Sequence, residues 1–271
     1  MTLSGEPLRE IRLSESVGSA IPRTSGGYVL GTASGFTLLD SLGRLTHHFP
    51  VLGPLHRMND AKVGPDGAFW SGSCQNTFAP AGGRLWRMDT SGQVTWASRV
   101  FTQPNGLAWD VAGKSLFLVD SKEYVVLKVP FSPGSMPEFR EAETFLDASS
   151  FIGEPDGMVI DINDNVWIAE YGAGVVSCFS QSGELIRRVA TPTRFPTSLT
   201  FAGSMFNRLL VTSARQDADL TEDDMSGRLF LSDPLEVPGT NALAFDDKEM
   251  ILGKTIGRRG RGEPSVRVIT A

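Results

Sequence analysis

Short apolar segments separated by turn residues run through the whole chain. Typical examples are GGYVLGT, KSLFLVDS, NVWIAEY and RLLVTSA, and runs of about four to eight strand-forming residues bounded in this way are typical of β-strands. No long segment repeats its apolar residues at the spacing of an amphipathic helix. The pattern therefore predicts an all-β protein, folded as a sandwich, a barrel or a propeller.

A repeated two-strand unit decides between these folds. It reads MNDAKVGPDGAFWSGS (58–73), PNGLAWDVAGKSLFLVDS (104–121) and PDGMVIDINDNVWIAEY (155–171), with weaker copies at 17–32, 196–213 and 240–255. Residues at one phase of the six units are 41 to 51 positions apart, and they are Gly18, Asn59, Asn105, Asp156, Thr197 and Asn241. A period of about 40–50 residues is typical of propeller blades.

The repeat also predicts how the propeller closes. From Asn241 across the two termini to Gly18 the step is 48 residues, which is the same period. We therefore predict a single domain, residues 1–271, folded as a six-bladed β-propeller. Its sixth blade would be completed by strands from both termini, SVRVIT near the C-terminus and LREIRL near the N-terminus.

Composition narrows the classes of partner. The chain has 25 basic and 31 acidic residues, a net charge of −6 and a pI of about 5.2, which argues against a nucleic-acid partner. No apolar run reaches the roughly 18–20 residues of a membrane helix. The first residues, MTLSGEPLREIRLSES, lack an apolar signal core, and the two cysteines lack metal-site spacing. We expect a cytoplasmic protein that acts on a small molecule.

Oxygen-bearing side chains recur at the start of the first strand of several units. Because the first strand of each blade lines the central channel, these residues would form a ring at one end of it. Asn105 and Asp156 each stand between a proline and a glycine and are the predicted ligands, whereas Gly18 and Thr197 are interpreted as strand ends. A ring of carboxylate and amide oxygens suits a hard cation such as Ca²⁺.

Several of these segments resemble a known family. RMNDAKVGPDGAFWSGS, PNGLAWDVAGKSLFLVDS and PDGMVIDINDNVWIAEYGAGVV, followed by PTSLTF and LLVTSAR, are similar in order and spacing to motifs of the senescence marker protein (regucalcin), gluconolactonase and luciferin-regenerating enzyme family. The resemblance runs from about residue 17 to 232. It implies a six-bladed propeller that binds one divalent metal ion, Ca²⁺ or Zn²⁺, and commonly hydrolyses sugar lactones.

The resemblance assigns roles to individual residues. The metal-binding Asn of the family's PNG motif falls on Asn105, and the metal-binding Asp of its PDG motif falls on Asp156, which is also the candidate general base. The substrate-contacting Arg and Asn of the RxND motif fall on Arg57 and Asn59. The implied cofactor is one divalent metal ion, with Ca²⁺ favoured over Zn²⁺.

The third metal ligand is a departure from the family. The family's first blade carries a GE-G-P-x-W motif with a metal-binding Glu, and this motif does not precede the matched repeats here. We interpret the chain as circularly permuted, with Asn241 at the Glu position; the alternative is a truncated family member with an unrelated tail. Glu154, His56 and Tyr171 are further candidates for contacts in the site.

A second departure concerns the substrate. The segment after WSGS is CQNTFAP, which is neutral where family lactonases often carry an acidic residue. We predict a metal-dependent lactonase in which Asp156 or a metal-bound water activates the nucleophile. The alternatives are a lyase, isomerase or non-sugar esterase on the same scaffold, or a protein that binds Ca²⁺ or a small ligand without turnover.

Overall fold

The computed structural model describes residues 10–215 and 225–250, which form five antiparallel sheets of consecutive strands. We call these sheets blades one to five in chain order. Their strands are β1 (Val17–Pro22), β2 (Tyr28–Thr32), β3 (Gly35–Leu39) and β4 (Leu45–Pro50); β5 (His56–Val63), β6 (Phe69–Gln75), β7 (Arg84–Met88) and β8 (Val94–Trp96); β9 (Pro104–Trp109), β10 (Ser115–Asp120), β11 (Val125–Pro130) and β12 (Glu143–Leu146); β13 (Glu154–Ile160), β14 (Val166–Tyr171), β15 (Val175–Phe179) and β16 (Leu185–Ala190); β17 (Pro196–Ala202), β18 (Arg208–Ser213) and β19 (Leu229–Leu231).

Helical structure in the described residues is limited to short 3₁₀ turns in blade three and in its connection to blade four. They are Ser121–Glu123, Phe139–Glu141 and Ala148–Ser150. In the described residues no helix is long and apolar enough to cross a membrane.

The blades stand side by side around a channel. The first strand of each blade packs against the first strand of the next, in the order β1, β5, β9, β13 and β17. This arrangement confirms that the chain is an all-β propeller. Blades three and four have a neighbouring blade on each side, so their strands β10 and β14 are almost continuously buried instead of alternating between buried and exposed residues.

Aromatic side chains fill the spaces between neighbouring blades. Phe36 of blade one packs edge-on against Phe69 of blade two at a centroid distance of 5.7 Å, and Trp70 of blade two packs against Trp109 of blade three at 5.8 Å. Trp167 and Phe201 make the same kind of contact between blades four and five at 6.2 Å. Edge-to-face packing adds to the large apolar area that such rings bury, so these contacts hold adjacent blades together.

The prediction of six blades is wrong: the described part of the chain forms five. Residues 240–250 of the expected sixth repeat contain no strand, and neither do residues 10–13 of LREIRL. SVRVIT, most of MILGK and the first two residues of LREIRL lie outside the described residues. The described structure therefore does not support a blade shared between the termini.

The physical reason lies in what residues 239–247 contact. Gly239 forms an isolated bridge with Asp161 of blade four, and Phe245 forms one with Arg23 after β1. The Phe245 side chain is fully buried and packs against Phe69 at a centroid distance of 6.4 Å. The apolar residues of this segment thus anchor a crossing connection at the ends of the blades, and they do not form a hairpin.

A buried ion pair fixes that connection. Arg23 Nε donates to Asp247 Oδ2 at 2.8 Å, and the backbone nitrogen of Ser25 donates to Asp247 Oδ1 at 3.1 Å. Both charged side chains are almost completely buried. Removing one member of a buried pair leaves the other charge without compensation, which typically costs about 3–5 kcal/mol.

We therefore expect Asp247→Asn to lower the free energy of unfolding by about 3 kcal/mol or more, measured by urea denaturation. The matched control is Glu10→Gln, which breaks the exposed Glu10–Arg12 pair and should change stability by no more than about 0.5 kcal/mol. Equal effects of the two substitutions would contradict the anchoring role of Asp247.

Candidate functional site

One end of the channel opens into a pocket of about 530 Å³. It is formed by the starts of the inner strands β1, β5, β9, β13 and β17, together with loops that follow the second strands. Its charged and amide-bearing lining residues are Arg57, Asn59, Asp60, Gln103, Asn105, Lys122, Glu154 and Asp156. Five of the six predicted ring positions, at Gly18, Asn59, Asn105, Asp156 and Thr197, lie in this lining.

Asn241, the sixth position and a predicted metal ligand, is not brought to the pocket. Its side chain is exposed, and the hydroxyl of its neighbour Thr240 donates to the carbonyl of Ile160 at 3.0 Å. Ile160 is the last residue of β13, at the opposite end of that strand from Asp156. Asn241 therefore belongs to the crossing connection and lies at the far end of the channel.

Irregular strand pairing shapes the mouth of the pocket. In every blade the register between the first and second strands shifts near the start of the inner strand, at Val17–Ser19, Met58–Ala61, Pro104–Leu107, Pro155–Met158 and Pro196–Ser198. A bulge breaks the alternation of side chains and re-aims them. This explains how Asn59 and Asp60, which are adjacent in sequence, both reach the pocket.

Asn105 and Asp156 lie next to each other on neighbouring blades. Asn105 is 4% exposed, its amide nitrogen donates to Ser121 Oγ at 3.0 Å, and the next residue, Gly106, lies directly against the backbone of Asp156. The structure thus brings together the two residues for which a metal-binding role was predicted from the PNG and PDG motifs.

The electrostatic environment of Asp156 is unfavourable for a carboxylate. Burial raises the pKa of Asp156 well above its ordinary value, and the charges of Asp60 and Glu154 raise it further. The neighbouring Asn105 amide and the charge of Arg57 lower the pKa and oppose this effect only in part. A cation in the pocket would therefore stabilise the ionised form of Asp156.

Asp60 and Lys62 are pocket and channel residues that sequence reasoning missed. Burial raises the pKa of Asp60 and lowers that of Lys62, and each charge partly offsets the shift of the other. The Lys62 ammonium donates to the carbonyl of Met158 across the channel at 2.8 Å. Two charged residues two positions apart in the predicted strand RMNDAK were the sequence feature that could have indicated a shared face. Simple alternation from Asn59, however, would have turned both residues away from the channel.

Arg57 and Asn59 form one hydrogen-bonded unit on β5. Arg57 Nη1 donates to Asn59 Oδ1 at 2.6 Å, and Asn59 Nδ2 donates to the carbonyl of Pro104 on blade three at 3.1 Å. The Arg57 guanidinium also lies over the ring of Phe78, 5.8 Å from its centroid. Arg57 is thus held at the pocket wall on one side by an amide and on the other by an aromatic ring.

The remaining candidates divide between two places. Glu154 lies in the pocket, where it accepts a hydrogen bond from Lys122 Nζ at 2.7 Å, and Tyr171 lies in the lining with its ring against Phe195. His56 lines a separate shallow cavity with Ser34 and Asn76, and Arg57 borders both cavities. His56 is therefore not among the channel-facing residues.

Buried carboxylates hold the turns that lead into β9 and β13. Asp120, at the end of β10, accepts hydrogen bonds from the backbone nitrogens of Thr102 at 2.9 Å and Gln103 at 2.7 Å. Glu170, near the end of β14, accepts them from Ile152 at 2.6 Å and Gly153 at 2.8 Å. Each carboxylate thus fixes the backbone two or more residues before Asn105 or Asp156.

The donor atoms of the pocket fit a hard divalent cation. The described residues contain no group of three His, Cys, Asp or Glu side chains placed to hold a metal, but amide and carboxylate oxygens converge here. The Gln103 side chain is 8% exposed, and its amide oxygen is buried without a hydrogen-bond partner in the described part of the chain. Asp60, Gln103, Asn105 and Asp156 all line the pocket and together offer the oxygen ligands that Ca²⁺ prefers.

Comparison with known proteins identifies the family. Residues 1–215 match the family model described as the SMP-30/Gluconolactonase/LRE-like region. The chain belongs to this family.

Some of its relatives are named as enzymes, and one structural neighbour is described as a calcium-binding protein. The 6-deoxy-6-sulfogluconolactonase of Pseudomonas putida is 29% identical over 236 residues, which cover 84% of this chain and 80% of that protein. Regucalcin of Xenopus laevis is 28% identical over 260 residues, covering 89% and 85%. The crystal structure of a calcium-binding protein, regucalcin, from Agrobacterium tumefaciens superposes with a TM-score of 0.76 at 26% identity and covers 86% of this chain and 80% of that one.

The raised pKa of Asp156 gives a stability prediction. A carboxyl group whose pKa is raised on folding stabilises the protein below its ordinary pKa of 3.8 and costs stability as pH rises through the folded-state value. In a chelating buffer at pH 7, Asp156→Asn should therefore raise the melting temperature by at least about 2 °C. The gain should shrink as the pH is lowered and Asp156 becomes protonated.

Asp147→Asn is the control for this measurement. Asp147 is exposed, and hydrogen bonds from Ser149 hold its pKa below the ordinary value. The effect of Asp147 on stability has the opposite pH dependence to that of Asp156. A group whose pKa is lowered on folding stabilises the fold above its ordinary pKa, and this contribution is lost as the pH falls through the folded-state value. Asp147→Asn should give no increase in melting temperature at pH 7, and a lower melting temperature for Asp156→Asn would refute the electrostatic argument.

Proposed function

We propose that this protein is a lactonase that opens sugar lactones or related cyclic esters at the channel pocket with the help of one divalent cation. The single observation that carries the proposal is the convergence of Asn105 and Asp156 with the Arg57–Asn59 pair in one pocket. Membership of a family whose relatives include a named sulfogluconolactonase supports the same activity.

The cation would be held by Asp156 and Asn105, with Asp60 and Gln103 as further oxygen donors in the same lining. When bound, it would supply Lewis-acid polarisation of the lactone carbonyl. We favour Ca²⁺ over Zn²⁺, because the donors are carboxylate and amide oxygens without histidine or cysteine. The name of the calcium-binding structural neighbour is consistent with this choice.

The residues of this chain perform the proton transfers and the positioning. Asp156 accepts a proton from the attacking water, whose oxygen forms a bond to the carbonyl carbon. The bond from that carbon to the ring oxygen breaks, and the same proton passes from Asp156 to the leaving oxygen, which gives the open hydroxy acid. General base catalysis of this kind contributes roughly 10²–10⁴-fold in rate.

Arg57 and Asn59 orient the substrate in this scheme. The Arg57 guanidinium is fixed by the 2.6 Å hydrogen bond to Asn59 Oδ1 and by the Phe78 ring, so it presents its other N–H groups to the pocket at little entropic cost. Donors fixed in this way hold the substrate in one orientation relative to Asp156, which is how binding residues accelerate a reaction between two molecules.

The location of the protein is part of the proposal. Cys74 and Cys178 are both free and buried, and free thiols are typical of reducing compartments. We propose a cytoplasmic protein with a small-molecule substrate.

Asp156→Asn tests the lactonase proposal. The substitution is nearly isosteric and removes the base and one ligand charge, so kcat/KM on aldonolactones with added Ca²⁺ should fall by roughly 10²–10⁴-fold, and calorimetry should show weaker Ca²⁺ binding. The matched control is Asp164→Asn at the opposite end of the same blade. Asp164 has a left-handed backbone, with φ 60°, that asparagine also adopts, so this variant should keep wild-type turnover.

The same experiment separates the alternatives raised by the sequence. Turnover of lactones that survives Asp156→Asn would remove the proposed base. Ca²⁺ binding by the wild type without turnover on any lactone would favour a binding protein, and turnover of an unrelated class of substrate would favour a different enzyme on this scaffold.

A further inference from the structure

The wall of the pocket between blades two and four carries two cations against one aromatic ring. Phe78, in the loop after β6, has Arg57 on one side at 5.8 Å from its centroid and Lys122 Nζ at 4.9 Å. Phe78 has a left-handed backbone with φ 54° in a turn closed by its own N–H to the carbonyl of Gln75 at 2.9 Å. A bulky residue rarely adopts this conformation, and here it places the ring in contact with both cations.

Both cations keep hydrogen-bond donors available to a ligand. Lys122 donates to Glu154 at 2.7 Å and has no other hydrogen-bond acceptor within the described part of the chain. Arg57 uses only Nη1, towards Asn59 and the carbonyl of Met58, so Nε and Nη2 make no hydrogen bond to the described residues. Lys122 is paired with Glu154, and the charge of Arg57 acts partly on Asp156. What this wall offers a ligand is therefore a set of unused charged donors on two cations.

The rest of the lining indicates how a substrate would be oriented relative to this wall. The opposite wall, from β1, β17 and β18, consists of uncharged residues such as Ser19, Ala20, Thr197 and Ala214. Deeper in the pocket stands Asn105, which is almost fully buried, whereas the Lys122 side chain is 35% exposed. A substrate with its lactone carbonyl at Asn105 and Asp156 would therefore extend its distal end towards Lys122 and Arg57.

We propose that Arg57 and Lys122, flanking Phe78, bind an anionic substituent at the distal end of the substrate, so that the preferred substrate is a sugar lactone bearing a sulfonate, sulfate or carboxylate group. This inference rests on the proposed lactonase function for the position of the carbonyl. Charge-assisted hydrogen bonds from lysine and arginine to such oxyanions are among the strongest that side chains form. Lys122 is then a residue that determines specificity.

The test uses ligands that cannot be hydrolysed, so that binding is measured apart from turnover. Glucose 6-sulfate and glucose have the same ring and differ in one anionic group. Calorimetric titration of the wild type should give at least tenfold tighter binding of the sulfate ester, as expected for about one charge-assisted hydrogen bond. Raising the ionic strength should reduce this ratio, because partly exposed charges are screened by salt.

Three variants assign the selectivity to Lys122. Lys122→Met should reduce the ratio to below about threefold, and Lys122→Arg, which keeps the charge, should restore most of it. Lys128→Met is the matched control, since Lys128 also lies over an aromatic ring, Phe117, at 5.7 Å but outside the pocket lining. It should keep the wild-type ratio.

The outcomes separate this inference from the proposed function. Equal or undetectable binding of the two sugars by the wild type, or an undiminished ratio in Lys122→Met, overturns the anionic subsite. Tight, Lys122-dependent binding of the sulfate ester supports the subsite even if a parallel assay with neutral and acidic aldonolactones finds no hydrolysis, and that assay result would overturn the lactonase proposal alone.

Discussion

The close approach of the inner strands around the channel is the constraint on which the site depends. A Cβ atom added to Gly106 would lie 2.5 Å from the carbonyl oxygen of Asp156, and one added to Gly157 would lie 2.3 Å from Ser198 Oγ. Neighbouring inner strands can pack at this distance only because glycine follows Asn105 and Asp156. The glycines of PNG and PDG are therefore packing residues, and they let the strands that carry Asn105 and Asp156 lie directly against each other.

The same constraint accounts for the irregular pairing and the buried carboxylates at the mouth. Inner strands that converge cannot keep perfect register with their own second strands, and each blade shows a shift at this point. The backbone N–H groups of the incoming turns then lack partners in the sheet. Asp120 and Glu170 satisfy them in blades three and four, because buried backbone donors require an acceptor.

The convergence of the inner strands also brings several carboxylates close together in the pocket. Asp60, Glu154 and Asp156 lie close enough for their charges to interact, and burial removes the water that would screen them. This charge is offset only partly, by Lys62 at Asp60, by Arg57 at Asp156 and by Lys122 at Glu154. Without a cation, the repulsion among these carboxylates lowers the stability of the fold. Ionisable groups with pKa values perturbed in this way are typical of functional sites.

The all-β class, the blade-like repeat and the polar positions at the mouth could be read from the sequence, because they depend on local properties: strand length, turn residues and the phase of the repeat. Asn59, Asn105 and Asp156 share that phase and do share one pocket. The segment 240–250 has the same phase and spacing, yet it contains no strand. Phe245 is buried in the core and Asp247 pairs with Arg23, and no local sequence pattern predicts either contact. Only the tertiary structure decided the number of blades in the described chain, the position of Asn241 outside the pocket, and the inclusion of Asp60 and Lys122 in its lining. The physical reason is that these outcomes depend on which surfaces meet in space and on bulges that override the alternation of a strand, and neither is encoded in the spacing of residues along the chain.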